Sequence, residues 1–427
     1  MATRDVDQGV GLVNRLVAAI GLTLLLTGLL AGTGGAAQTI VLQFPSWQQD
    51  EPGTSGWWKD QIAAFERAHP GVRIEFTKIP LAEHTDRLIA QFAANSPPQI
   101  VHVPAQTYFP FADRGWLEPL DKYPGIDEIK QTYTPLQSKT CVWKGATDCV
   151  LMLNYGYAWV YNSKLLAATG RAVPKTPSDY LATIAAMTNR SQGQFGAGIV
   201  TLPGFNMVAH IAVFVYGAGG RWTDDKGNPS VLTPSVIQGF KWWKQAALSA
   251  TPIGQESGPL RQFLIQGKVA SYNDGPWMQG FVQQADPSVR PYMKAAPLPF
   301  QATMGGASNV IAMPRSLPQA EKDLVWDFIR SGTTREAQIR YAIAVGAPPP
   351  RLDATVPADA RKALPFYDIY VDASKRAVSW IPFGFETKAN QFIQIVAEQS
   401  QRMIVQNEPV EKVLQDLQRA LEDLKRQ

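Results

Sequence analysis

Apolar and polar positions alternate or recur with clear periods along most of this chain. Residues 40–44 (IVLQF) form a short apolar run that predicts a strand, followed by a polar loop at 45–55. Trp58, Ile62 and Phe65 then recur at helical spacing, and Pro70-Gly71 ends that helix. Val72, Ile74 and Phe76 alternate with Arg73, Glu75 and Thr77, the period-two signature of a strand. A second helix carries Leu81, Leu88, Ile89 and Phe92 before Pro97-Pro98, and Ile100 to Val103 predicts a third strand. Strand, helix, strand, helix, strand predicts a parallel sheet with crossovers, whose ligands sit beyond the carboxyl ends of the strands. Those ends are Ser46-Trp47-Gln48 and the turn 104–108, polar loops that carry aromatics.

The later pattern continues the α/β alternation. A strand is predicted over 155–161 (YGYAWVY), then helices over 162–168 and 179–187. Residues 207–216 are apolar up to the glycines at 217–220, and 236–248 is amphipathic with Phe240, Trp243 and Ala247 on one side. A strand at 309–313, a helix at 322–329 and a charged amphipathic helix at 410–424 complete the reading, with Val413, Leu414, Leu417, Leu421 and Leu424 on the apolar face of the last. There is no internal repeat and no low-complexity tract.

Composition narrows the class. With 427 residues, 45% hydrophobic and 18% charged, the chain is expected to fold into two domains. Its formal charge of +4 is spread along the chain rather than gathered in a basic stripe, so nucleic acid is not an expected partner. Arg4 and Arg15 precede an apolar stretch at 16–30, followed by small residues from Ala31 to Ala37. That order is the signature of a secretory leader over 1–37, with the mature chain starting near Gln38. The apolar stretch is short for a spanning helix. No cysteine stands at the expected cleavage site to carry a lipid. Cys141 and Cys149 are the only cysteines and flank a polar stretch, which suits a small disulfide loop in an oxidising compartment. No His or further Cys lies nearby to complete a zinc set, and no metal or other cofactor is expected.

Candidate chemistry points to binding rather than catalysis. The four histidines, His69, His84, His102 and His210, show no metal-ligand spacing, and the chain has neither HExxH nor GxSxG. Gly217 to Gly220 lacks the Lys and Ser/Thr of a phosphate loop. A glycosidase needs two carboxylates across a cleft, for which Asp50-Glu51, Glu118 and Asp274 are the candidates. Aromatics, by contrast, stand at strand ends and beside glycines: Trp47, Tyr108, Tyr155, Tyr157, Phe205, Trp277 and Phe383. A flat ring packs on the C–H face of a sugar, while amides and carboxylates such as Gln106, Asn206, Asn273 and Asp274 bond its hydroxyls.

FERAHPGVRIEF (65–76), PPQIVHV (97–103) and DRGWLEPLD (113–121) resemble, in order, the sugar-type extracellular solute-binding proteins of bacterial ABC importers. So do YGYAWVYNSKLLAATG (155–170), GKVASYNDGPW (267–277), GGASNVIAMP (305–314) and PVEKVLQDLQRAL (409–421). The resemblance implies a two-domain α/β fold of the periplasmic binding protein type (type II), with a hinge and an interdomain ligand cleft. One domain would take 38–148 and 275–344, the other 149–274 and 345–427. By position it implies ligand contacts from Ser46, Trp47, Gln106, Tyr108, Asn154, Tyr155, Tyr157, Phe205, Asn206, Gly305 and Gly306, with Trp277 as the stacking platform. Arg351, after three prolines, is a further candidate, either for an anionic solute or as a bridge between surface carboxylates. The function implied is a monomeric periplasmic protein, not an enzyme, that delivers a sugar or polyol to an inner-membrane ABC permease. A glycerol-3-phosphate-type anion and a periplasmic carbohydrate-active enzyme are the alternatives.

Overall fold

Two separate hydrophobic cores organise the chain in the computed structural model, which describes residues 39–427; the expected leader at 1–37 lies outside the described residues. The first core gathers Leu42, Phe44, Trp58, Ile74, Leu88 and Val103 with Val310, Ile311, Phe328 and Val345. The second gathers Trp159, Tyr180, Val213, Phe240 and Tyr272 with Met293, Met304, Val396 and Leu417. The local elements follow the pattern of the sequence. Val72–Lys78 is a strand with Ile74 as its inward residue, and Thr54–Ala68 is a helix that buries Trp57, Trp58, Gln61, Ile62 and Phe65 on one face. Phe205–Gly217 is buried all round, which explains its unbroken apolar run. The terminal helix Val410–Arg426 buries the expected Val413, Leu414, Leu417, Leu421 and Leu424.

The first sheet departs from the parallel expectation. The strand Ile40–Ser46 pairs with Val72–Lys78, but Val101–Pro104 pairs antiparallel with Asn309–Ala312, a strand from far along the chain. Asn309–Ala312 in turn pairs antiparallel with Val150–Leu151, so the core closes on returning segments that local periodicity does not register.

The chain crosses between the cores along strands. The run read as one strand over 155–161 is two, Asn154–Gly156 and Ala158–Asn162, interrupted where Tyr157 N–H donates to the Met304 carbonyl. Asn154–Gly156 pairs antiparallel with Thr303–Ala307, and Thr303–Gly305 pairs parallel with Ala377–Ser379. These three short strands form one small sheet at the junction of the two cores. Gly305 is required there because a Cβ would collide with the Tyr155 carbonyl, and Gly306 holds a φ of +95°. The segment from Met278 to Met304, which the sequence reading placed with the first domain, packs into the second core. Cys149 to Leu153, placed with the second, packs into the first. Cys141 and Cys149 are joined as a disulfide buried within the first core.

Candidate functional site

Between the two cores lies a cavity walled by aromatics from both. On the first-core side the strand Ile40–Ser46 runs into the short turn Trp47–Gln49. Ser46 is fully buried, and its Oγ accepts the Gln48 N–H at 3.0 Å while lying 2.8 Å from His102 Nδ1. His102 Nε2 is 3.0 Å from Asn309 Oδ1. Burial pushes the His102 imidazole down to about 3, so the ring is neutral at physiological pH. Ser46 O–H therefore donates to Nδ1, and Nε2–H donates to Asn309. Trp47 stacks on this fixed ring at 4.4 Å and 9°, and meets His84 edge-on at 5.1 Å. Burial likewise lowers His84 to about 4. Two neutral imidazoles thus hold the indole that lines the cavity.

Gln48 is fixed by donors. Its Oε1 accepts from Trp58 Nε1 at 2.7 Å and from Tyr341 OH at 3.2 Å. An indole N–H can only donate, so the carbonyl end must face Trp58 and the N–H₂ end turns toward Glu51. Glu51, half-buried, accepts from Thr54 Oγ1 at 3.2 Å. Burial pushes its carboxyl up to about 7, opposed chiefly by the Arg261 guanidinium.

On the second-core side the platform is Trp277. Its indole Nε1 donates to Asp274 Oδ1 at 2.8 Å, and the Gly275 N–H donates to the same oxygen at 2.8 Å. Arg261, on the helix Ser257–Ile265, clamps both Asp274 oxygens with Nε at 2.7 Å and Nη2 at 3.2 Å. Burial works against the Arg261 charge, but Asp274 outweighs it and the guanidinium pKa is raised. The cation also lies 5.7 Å from the Trp277 ring, which Tyr155 and Tyr157 flank at 5.4 and 6.1 Å. Trp380 donates from Nε1 to Tyr155 OH at 3.2 Å and packs edge-on against Phe205 at 4.8 Å. Asn206 Nδ2 donates to Glu256 Oε1 at 2.6 Å.

Seven of the residues expected to contact ligand, Trp47, Gln106, Tyr155, Tyr157, Phe205, Asn206 and Trp277, line this cavity. The others stand elsewhere. Ser46 lies one layer behind Trp47 as the anchor of His102. Tyr108 is fully buried against Phe109. Asn154 belongs to the junction sheet and donates to Thr134 Oγ1 at 3.2 Å, and Gly305 and Gly306 belong to the same sheet. Arg351, 3% exposed, bridges Asp353, Glu128 and the Thr333 carbonyl, with contacts of 2.8–2.9 Å. Of the carboxylates weighed for catalysis, Asp50 pairs with Lys78 at the surface and Glu118 with Lys122 and Lys322.

Sequence reasoning placed Gln48 in a strand-end loop without naming it as a contact, and missed Arg261, Asn309 and Trp380 as parts of this wall. Arg261 sits between Leu260 and Leu264 on an amphipathic helix, where a charge reads as a solvated face. Only its partner Asp274, beside the Gly-Pro-Trp turn, carried a signal. Among the described residues no group of three His, Cys, Asp or Glu is gathered to hold a metal ion, and no helix is long and apolar enough to cross a membrane.

A family model for bacterial extracellular solute-binding proteins matches residues 60–365. Among solved structures, the GacH receptor of Streptomyces glaucescens, determined unliganded and with acarbose, aligns over 91% of this chain and 99% of its own at 19% identity and a TM-score of 0.79. An ABC transporter solute-binding protein of Thermotoga lettingae, bound to alpha-D-tagatose, aligns over 90% and 100% at 20% identity and 0.81. UgpB of Mycobacterium tuberculosis, in complex with glycerophosphocholine, aligns over 90% and 98% at 18% identity and 0.75.

Proposed function

Because the chain belongs to the family of bacterial extracellular solute-binding proteins, we propose that it captures a neutral sugar or polyol between its two lobes and hands it to an ABC permease. The observation that carries this reading is the wall itself. Trp47, Tyr155, Tyr157, Phe205 and Trp277 surround the cavity, while Gln48, Glu51 and Asn309 supply hydrogen-bonding groups among them. GacH with acarbose and the Thermotoga lettingae protein with tagatose share the fold, which supports a carbohydrate-like solute.

The charges argue against the alternatives. Arg261 is neutralised by Asp274, and Arg351 is bound to Glu128 and Asp353 outside the cavity. A phosphate would therefore meet Glu51 without a free cation to offset it. Two-carboxylate hydrolysis needs a second carboxylate with an available oxygen, and both Asp274 oxygens are already engaged.

In this account one lobe comprises 42–153 with 307–347 and the other 155–304 with 366–424, following the two cores. The three-stranded junction sheet is the hinge about which they close on the solute. The leader at 1–37 directs the chain to the periplasm, where it works as a monomer. A micromolar affinity, about −8 kcal/mol, is ordinary for such a task.

The test is a thermal-shift screen of the chain from Gln38 onward against monosaccharides, oligosaccharides, polyols and sugar phosphates. At 100 times its dissociation constant a ligand adds about 2.7 kcal/mol of stability. A neutral sugar or polyol should give a shift that disappears in Trp277→Ala. A shift with phosphorylated compounds alone contradicts it.

A further inference from the structure

Two adjoining chambers between the lobes differ in size and chemistry. The inner one, inside the aromatic wall, has a volume of about 50 Å³, and the outer one about 330 Å³. Leu81, Pro104 and Phe205 border both, so the two adjoin. A site that buries most of a small ligand measures a few hundred Å³, roughly 300–1,000. The inner chamber falls short of that range and the outer one reaches it, so a solute held by the aromatic wall extends outward.

The outer wall comes from both lobes. Thr85 and Asp86 lie on the helix Leu81–Ala93, and Asn390, Gln394 and Glu398 on the helix Ala389–Val405. Asn390 Nδ2 donates to Asp86 Oδ1 at 3.2 Å across the cleft. Gln394 Nε2 donates to Glu398 Oε1 at 2.9 Å, and Thr85 and Thr107 pair their hydroxyls at 2.9 Å. Each amide bond uses one N–H and leaves acceptors, the second oxygens of Asp86 and Glu398 and the amide carbonyls of Asn390 and Gln394, beside one further N–H on each amide. Among the described residues, no Lys, Arg or His lines this chamber, and Phe205 is its one aromatic. A ligand portion fitting here carries hydrogen-bond donors rather than a phosphate or carboxylate, and is held by hydrogen bonds rather than by stacking.

Resting on the solute-binding reading above, we propose that the outer chamber is a second subsite. It takes the further rings of a hydroxyl- or amine-bearing glycoside, so the solute is an oligosaccharide of two or more rings. Because Asp86 and Asn390 stand on opposite lobes, the outer rings add contacts that exist only in the closed form.

The experiment is isothermal titration of the full mature chain with glucose, maltose and maltotriose, and with N-acetylglucosamine, chitobiose and chitotriose. The same sugars are titrated into Ala82→Trp and Gln394→Trp, which fill the outer chamber from two exposed helix positions. Thermal melts confirm that both variants are folded. In at least one series the disaccharide or trisaccharide should bind ten-fold or more tighter than the monosaccharide. Filling the chamber should cut that advantage below three-fold. A monosaccharide that binds as tightly as its oligomers, or an advantage that survives both fillings, overturns the second subsite and leaves sugar capture standing. Absence of binding by every sugar, in the wild-type chain, overturns both.

Discussion

Replacing Glu51 by Gln should make the unliganded protein more stable at alkaline pH and change little at acid pH. The Glu51 carboxyl titrates near 7 in the folded chain against an ordinary value of 4.5. A folded-state pKa raised in this way means that the folded protein holds a proton the unfolded chain releases. Stability from this group is fully present below 4.5 and is lost as pH rises through 7. The full shift corresponds to about 3 kcal/mol, and water reaching a half-buried carboxyl trims this to about 1–2 kcal/mol. The charged groups around it include Arg261, which favours the ionised form, and Asp274, which opposes it; both remain in the variant. Asp148, which burial raises to about 6, contributes a pH dependence of the same sign in both proteins and cancels in the comparison. Urea unfolding of wild type and Glu51→Gln at pH 4.5 and 8, followed by far-UV circular dichroism, reads the difference. The variant should gain about 1–2 kcal/mol over wild type at pH 8 and only a few tenths at pH 4.5. Identical pH dependences would refute the placement of Glu51 in a desolvated cleft.

Arg261→Leu leaves Asp274 buried without its cation and should cost about 3–5 kcal/mol in urea unfolding; adding Asp274→Asn should recover part of that, and no loss would contradict the clamp. His84, His102 and His210 have folded pKa values pushed down by burial to about 4, 3 and 3, so their contribution is present above pH 6.5 and lost as pH falls toward those values. Imidazole proton resonances at pH 5 should report neutral rings at these three positions, and a charged His102 would break the relay that holds Trp47. Replacing Cys141 and Cys149 together by Ser opens a short loop whose closure contributes about 2–3 kcal/mol, to be read as a lower urea midpoint.

Much of the architecture could be read from periodicity, because it reports which face of an element is buried. The alternation around Ile74 and the apolar stripe ending at Leu424 both survive in the fold. The aromatics at strand ends, Trp47 and Tyr155 among them, were readable as cleft residues because chain crossings and strand ends converge there. What stayed hidden depends on partners distant in sequence. Trp380 and Tyr155 are 225 positions apart, and Gln48 meets Tyr341 across 293. The antiparallel return of Asn309–Ala312 beside Val101–Pro104 likewise has no local signal. Gly305-Gly306 shows the limit of residue type as a guide, since the same pair suits a ligand oxygen or a crowded crossing strand, and here it serves the strand. Arg351 was open between an anion and a carboxylate bridge, and Glu128 and Asp353 decide for the bridge.

On the proposed function, a neutral sugar is held inside the aromatic wall between the lobes. A crystal structure of the chain from Gln38 onward, grown with the sugar that gives the largest thermal shift, tests this directly. A ring should lie against Trp277 and Trp47, with its hydroxyls bonded to Glu51 and Gln48. A bound sugar elsewhere on the molecule, with this cavity holding only water, would contradict it.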